Sequence, residues 1–221
     1  VAKNIFEMAP GWDELKQARY FVLLCVLLSV VFFSPLVKIG SAGSFLLSIM
    51  FTGVIVAAVY AASSGAKIEF KVALLLATVW LVITWADIEQ YSGTGNLISG
   101  TILVGLNIFA FATILLHITR AERIDFNLLC GGTALYLLIG LNWAVTYMLL
   151  EELNPGTFKI QTGELAWPNF LYFSLTTLTT LGYGDVLPLK PFARIWSVLE
   201  AVTGVLYIAV LVARLISLYR R

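Results

Sequence analysis

Six apolar runs separated by short polar stretches organise this chain, over residues 20–37, 42–62, 70–86, 97–118, 128–150 and 191–219 with approximate ends. A helix rises 1.5 Å per residue, so about 20 apolar residues cross the hydrocarbon core of a bilayer. Each run is therefore read as a membrane-spanning helix. A shorter apolar segment, residues 167–179, opens with Trp167-Pro168. Proline is tolerated in a first helical turn, where its missing N–H had no helical partner to lose. This segment is too short to span and is read as a re-entrant helix. The irregular backbone that follows must then be buried in protein or face water.

The polar positions refine this layout. Residues 1–19 set Ile5, Phe6, Met8 and Trp12 among Lys3, Glu7, Asp13, Glu14 and Lys16, with a break at Pro10-Gly11. An interfacial segment along the headgroups fits that alternation, and a disordered tail is the other reading. Lys16 and Arg19 before an apolar run imitate a signal peptide, but the run is long and further spans follow, so it is taken as the first span. Gly43, Gly53, Ala57, Ala58, Ala61 and Ala62 give the second run a small-residue surface for close helix contact. Trp80 and Trp85 are expected in an interfacial belt at the end of the third.

Composition narrows the class: 60% hydrophobic residues, 12% charged residues and a mean hydropathy of +0.91 describe a polytopic membrane protein. A net charge of +1, with no basic run outside the helix flanks, argues against a nucleic-acid partner. Cys25 and Cys130 lie in apolar runs and are read as small buried hydrophobes, with no disulfide framework. No phosphate loop, metal cluster or nucleophile–base pair occurs, so no enzymatic activity is expected. Lysines and arginines divide about ten to four between the two sides, which places both termini in the cytoplasm of a cell-membrane protein.

Residues 176–185 read Thr-Thr-Leu-Thr-Thr-Leu-Gly-Tyr-Gly-Asp, and membrane packing does not explain them. A protein that strips water from a cation inside a membrane must offer a ring of oxygens. Backbone carbonyls form one only where consecutive residues point them the same way. Gly182 and Gly184 tolerate the positive φ this requires, so the carbonyls of Thr180, Leu181, Gly182 and Tyr183 can line one axis, with the Thr180 hydroxyl adding an inner oxygen.

This run, with Pro188 and Arg194 behind it, resembles the pore signature of potassium channels. The resemblance is dense over residues 128–221; ahead of that it consists of four spans in order. It implies an all-α membrane protein of six transmembrane helices with a re-entrant pore helix and a selectivity-filter loop, in the layout of prokaryotic voltage-gated-like channels. One filter per chain implies a homotetrameric pore, with K+ as permeant ion, membrane lipid as surroundings and no other small-molecule substrate. Thr179, Gly184 and Asp185 would support the filter; Leu181 stands where the family more often has Val or Ile. The corresponding parts are an N-terminal segment (1–19), a four-helix voltage-sensor-like domain (20–119), a linker (120–127) and a pore domain (128–221). Two further readings stay open: a non-selective cation channel, and a non-conducting regulatory subunit.

Several intramembrane polar residues stand out. Asn107 and Asn142 are expected to hydrogen-bond between helices. His117 is read as an interfacial histidine near Arg120, with proton sensing as the alternative. Glu200 is a functional candidate because an intramembrane carboxylate is costly without a partner. It lies one turn before Gly204, whose spacing from Arg194 resembles that of the hinge glycine of potassium-channel inner helices. Thr176 or Thr177 would be its partner in a protonation-linked gating role; facing the cavity and concentrating cations is the other reading. Val205, Ile208, Ala209 and Val212 follow Gly204 at helical spacing and are expected to line the cavity. The chain ends at Arg221 after the sixth run, which leaves the gating stimulus open between an intrinsic device and a further domain.

The fourth run departs from a voltage sensor. Its polar members are Asn96, Ser99, Thr101, Asn107, Thr113 and His117, and the first cation comes only at Arg120. Open probability is therefore expected to vary weakly with voltage. A conductance–voltage curve as steep as about a dozen moving charges per tetramer would contradict this.

Overall fold

The computed structural model describes residues 18–37, 41–62, 67–86, 94–121, 125–161 and 163–219. The proposed N-terminal interfacial segment lies almost wholly outside them, as does part of the linker. The described chain is almost entirely helical. Its helices are α1 (Arg19–Phe33), α2 (Ser41–Ala62), α3 (Lys67–Ala86), α4 (Thr94–Arg120), α5 (Phe126–Leu153), α6 (Trp167–Leu178) and α7 (Pro191–Tyr219). A 3₁₀ turn at Ser34–Leu36 follows α1, because Pro35 cannot continue the α-helical ladder. Strands β1 (Phe158–Ile160) and β2 (Val186–Pro188) form one short antiparallel pair, with Lys159 opposite Leu187.

Among the described residues, four stretches are long and apolar enough to cross a membrane: Arg19–Leu36, Leu97–Arg120, Phe126–Leu153 and Pro191–Leu218. Helices α2 and α3 carry the shorter apolar stretches Phe45–Ala61 and Ala73–Trp85. This is an all-α membrane protein.

Helix α5 is the pillar of the fold. It packs against α1, α4, α6 and α7, and 67% of its most apolar 18-residue window is buried, against 11% of that of α7. Tyr20, Leu23, Leu27 and Val30 form the buried stripe of α1, which leans on α2 and α5. These residues recur at helical spacing, so one face of an otherwise apolar helix is selected by packing. The start of α5 is set by Asp125, which accepts a hydrogen bond from the Leu128 amide at 2.6 Å. It occupies one of the N–H groups left unpaired at any helix start. The Asn127 side chain accepts from the Tyr20 amide at 3.1 Å and ties the starts of α1 and α5 together.

Some sequence expectations change in three dimensions. Trp80 is not an interfacial belt residue: it is 2% exposed and donates through Nε1 to the Ser99 carbonyl. Trp85 does sit at the surface and donates to Thr52 Oγ1. Cys25 is exposed on α1 while Cys130 is buried, since α1 turns only one face to its neighbours. His117 accepts from the Arg19 guanidinium at 2.9 Å and stands edge-on to Tyr20, contacts from α1 that the sequence did not reveal, while Arg120 stands nearby as expected. Asn107 Nδ2 and Asn142 Oδ1 are buried without a hydrogen-bond partner, contrary to the expected interhelical bonds.

Replacing Asp125 with Ala removes the cap of α5 and is expected to lower stability by about 1 kcal/mol. Asp125→Asn keeps an acceptor and should retain most of it. Unfolding midpoints in detergent for the two variants make the comparison.

Candidate ion-conduction site

The short helix α6 begins with Pro168 in its first turn, and Asn169 closes that end by accepting from the Ala166 amide at 2.9 Å. At the other end the helical ladder gives way to a different pattern. The Leu181 and Gly182 amides both donate to one carbonyl, that of Thr176, at 2.7 and 3.2 Å. A trans peptide holds its C=O opposite its N–H. With those two N–H groups turned back to α6, the carbonyls of Thr180 and Leu181 point away from it.

The backbone torsions continue this arrangement. Thr180, Gly182 and Gly184 have φ of 60, 53 and 79°, while Leu181 and Tyr183 do not enter the positive region. Alternation of sign along residues 180–184 rotates successive peptide planes the same way, where an ordinary strand would zigzag. The two glycines meet this demand at no steric cost. Thr180 does not: positive φ is a genuine outlier for a β-branched residue, with a strain of about 1–3 kcal/mol, and such strain gathers at functional sites.

The outer loop holds this segment from the other side. Gln161 Nε2 donates to the Gly184 carbonyl at 3.2 Å and its amide donates to the Asp185 carbonyl at 3.1 Å, extending the β1–β2 pair. Gly184 thus has its carbonyl occupied, whereas the carbonyls of the four residues before it accept no hydrogen bond from the described residues. Glu151 accepts from the Gly156 and Phe158 amides and fixes the turn after α5. Lys190 and Arg194 tie the start of α7 to carbonyls of Asn154, Pro155 and Pro188. Tyr183 stacks on Tyr172 of α6, centroids 6.4 Å apart and planes 6° apart. Leu181 and Tyr183 nevertheless remain 55% and 68% exposed on the single chain.

Behind α6 the contacts are buried. Tyr136 of α5 donates to the Leu178 carbonyl at 3.1 Å, and Ser174 lies between the Gly140 carbonyl and Glu200. Glu200 is fully buried and also receives the Tyr147 hydroxyl at 2.7 Å. Its partner on α6 is therefore Ser174, not Thr176 or Thr177. Sequence alone did not reveal this, because the rotation of α6 about its axis follows from packing against α5. Glu200 also lies away from the exposed side of α7, contrary to the cavity-facing reading. Gly204 lies in an uninterrupted helix, where a Cβ would overlap the Leu178 carbonyl oxygen and lie 3.0 Å from its carbonyl carbon. Close approach of α7 to the end of α6 thus requires a glycine there. Val205, Ile208, Ala209 and Val212 are all exposed on the single chain.

Comparison with known proteins relates the part of the chain that carries this strained, carbonyl-presenting loop to membrane channels. Residues 126–221 match the family model described as "Ion channel". An inward rectifier potassium channel of Paramagnetospirillum magnetotacticum is 30% identical over 40% of this chain and 28% of its own length. A two pore potassium channel of Oryza sativa subsp. japonica is 32% identical over 38% of this chain and 18% of its own. A voltage-gated potassium channel of Aeropyrum pernix is 26% identical over 46% of this chain and 32% of its own. The chain thus spans no more than about a third of these relatives. No solved structure matches. This C-terminal part of the chain is thus similar to potassium channels.

Gly204→Ala forces α7 off the end of α6 and is expected to cost about 1–3 kcal/mol. Thr203→Ala, next to it on the exposed side, should stay within about 0.5 kcal/mol. Equal unfolding midpoints for the two variants would contradict the close approach.

Proposed function

We propose that this chain is the pore-forming subunit of a potassium-selective channel that conducts passively through the backbone of residues 180–183. The observation that carries this reading is the alternation of φ sign from Thr180 to Gly184, with the Leu181 and Gly182 amides bonded back to Thr176. It leaves carbonyls on the far side as ligands for a dehydrated cation. The Thr180, Leu181, Gly182 and Tyr183 carbonyls and the Thr180 hydroxyl are the ion ligands; Thr179, Gly184 and Asp185 hold them in place. Matches to named potassium channels favour potassium over a non-selective pore.

One chain supplies one strip of carbonyls, and a ring needs several. Helix α7 offers the surface for assembly: Val198, Val202, Leu206 and Val210 are among its exposed apolar residues. Exposed Leu181 and Tyr183 likewise await neighbours. Four copies around one axis satisfy both, and the exposed stripe of Val205, Ile208, Ala209 and Val212 then lines an apolar cavity that seals by excluding water. Gly204 and Glu200 govern how α7 moves against the filter.

Helices α1–α4 form a peripheral domain without strong voltage sensing. The distribution of basic residues supports an orientation with both termini in the cytoplasm and the filter outside, in a cell membrane. Arg19, His117 and Arg214 gather at one end of the helices, opposite the filter, in keeping with this orientation.

Purified chain in liposomes should show bi-ionic potentials strongly favouring potassium over sodium. Gly182→Ala, which puts a side chain at φ 53°, should abolish flux or selectivity. Ile208→Ser or Val212→Ser should raise basal flux by wetting the constriction. Equal permeability to sodium and potassium in the unmodified chain would overturn the selective reading, and absence of flux would favour a non-conducting subunit.

A further inference from the structure

Three oxygen-to-oxygen contacts run in a chain beneath the filter. Tyr147 Oη meets Glu200 Oε2 at 2.7 Å, Glu200 Oε1 meets Ser174 Oγ, and Ser174 Oγ meets the Gly140 carbonyl oxygen at 2.7 Å. Each contact needs one proton between its two oxygens, since bare lone pairs at that separation repel. The Tyr147 hydroxyl brings one proton, the Ser174 hydroxyl brings one, and a backbone carbonyl brings none. Three contacts thus share two hydroxyl protons, and the remaining proton has only the carboxyl to come from.

We propose that Glu200 is held as an un-ionised carboxylic acid and serves as a positioning residue for the pore helix. Tyr147 donates to Oε2, the carboxyl O–H donates to Ser174, and Ser174 donates to the Gly140 carbonyl. Every donor and acceptor in the line is then satisfied. An ionised carboxylate would let Ser174 serve only one of its two acceptors, and would leave a buried charge with neutral donors alone. Among the described residues no lysine, arginine or histidine pairs with it. The titratable groups facing it are Tyr147 and Tyr136, both on α5, and α6 contributes only Ser174.

All four groups belong to one chain, so assembly with other copies is not needed to complete the line. It clasps α5, α6 and α7 together shortly before Thr180. Movement of the outer half of α7 against the pore helix would have to break it, so the clasp confines bending of α7 to Gly204 and beyond.

Infrared spectroscopy of the purified chain in lipid at neutral pH tests the proton directly. The expected result is a carbonyl stretch of an un-ionised acid that disappears in Glu200→Gln and moves to higher frequency in Tyr147→Phe, which removes the bond to that carbonyl. The second arm is potassium flux, and it alone rests on the channel reading above. Glutamine offers the same acceptor to Tyr147 and a donor to Ser174, so Glu200→Gln should keep flux within about threefold, while Glu200→Ala and Glu200→Asp lose about tenfold or more. No acid band in the unmodified chain, a band indifferent to Tyr147→Phe, or a glutamine variant as impaired as the alanine one would each overturn the proposal. A chain that carried no current would defeat the channel reading, and the infrared result would still decide this one.

Discussion

A peptide segment can turn its carbonyls to one side only if its amides find partners on the other. Here one atom serves two of them: the Thr176 carbonyl receives the Leu181 and Gly182 amides. Two more carbonyls, those of Leu175 and Thr177, take the Thr179 and Thr180 amides. The last turn of α6 is therefore the mould in which the following residues are cast, and a shift of that turn would move the presented carbonyls with it. The positive φ of Thr180 shows how strongly the mould acts, because it overrides the preference of a β-branched side chain.

A mould must itself be held still, and the buried contacts around α6 do this from several directions. Tyr136 fixes the Leu178 carbonyl, Ser174 is joined to Gly140 and Glu200, and Gly204 lets α7 close against the helix end. Gly140 plays the same part on α5, where a Cβ would lie 2.8 Å from Leu175 Cδ2. Aromatic packing of Tyr147, Phe158, Phe170 and Phe173 fills the space towards the outer loop. Polar and apolar contacts share one task here, because hydrogen bonds fix direction while close packing fixes distance.

Helices α1–α4 join this centre chiefly through α5. At the inner end the Arg214 guanidinium of α7 donates to the Thr119 and Ala121 carbonyls at 2.7 and 2.9 Å. It meets the end of α4, where carbonyls lack helical partners and a cation is favoured. The helix end that already carries Arg120 thus receives a second cation from the helix that the proposed function places at the pore.

Much of this was legible in the chain itself. The lengths of the apolar runs, Pro168 and Pro191 at helix starts and the Gly-Tyr-Gly triplet each act locally, through helix rise, a fixed φ and the freedom of a residue without Cβ. Those properties belong to single residues or to short neighbourhoods, so a linear reading reaches them. What it did not reach were matters of rotation and facing: Ser174 rather than Thr176 beside Glu200, Trp80 in the core, His117 paired with Arg19, and Gly204 as a point of contact with Leu178. A helix apolar on all sides carries little sign of which face will be covered. That choice is made only when neighbouring helices compete for the same surface, and the tertiary structure decided it.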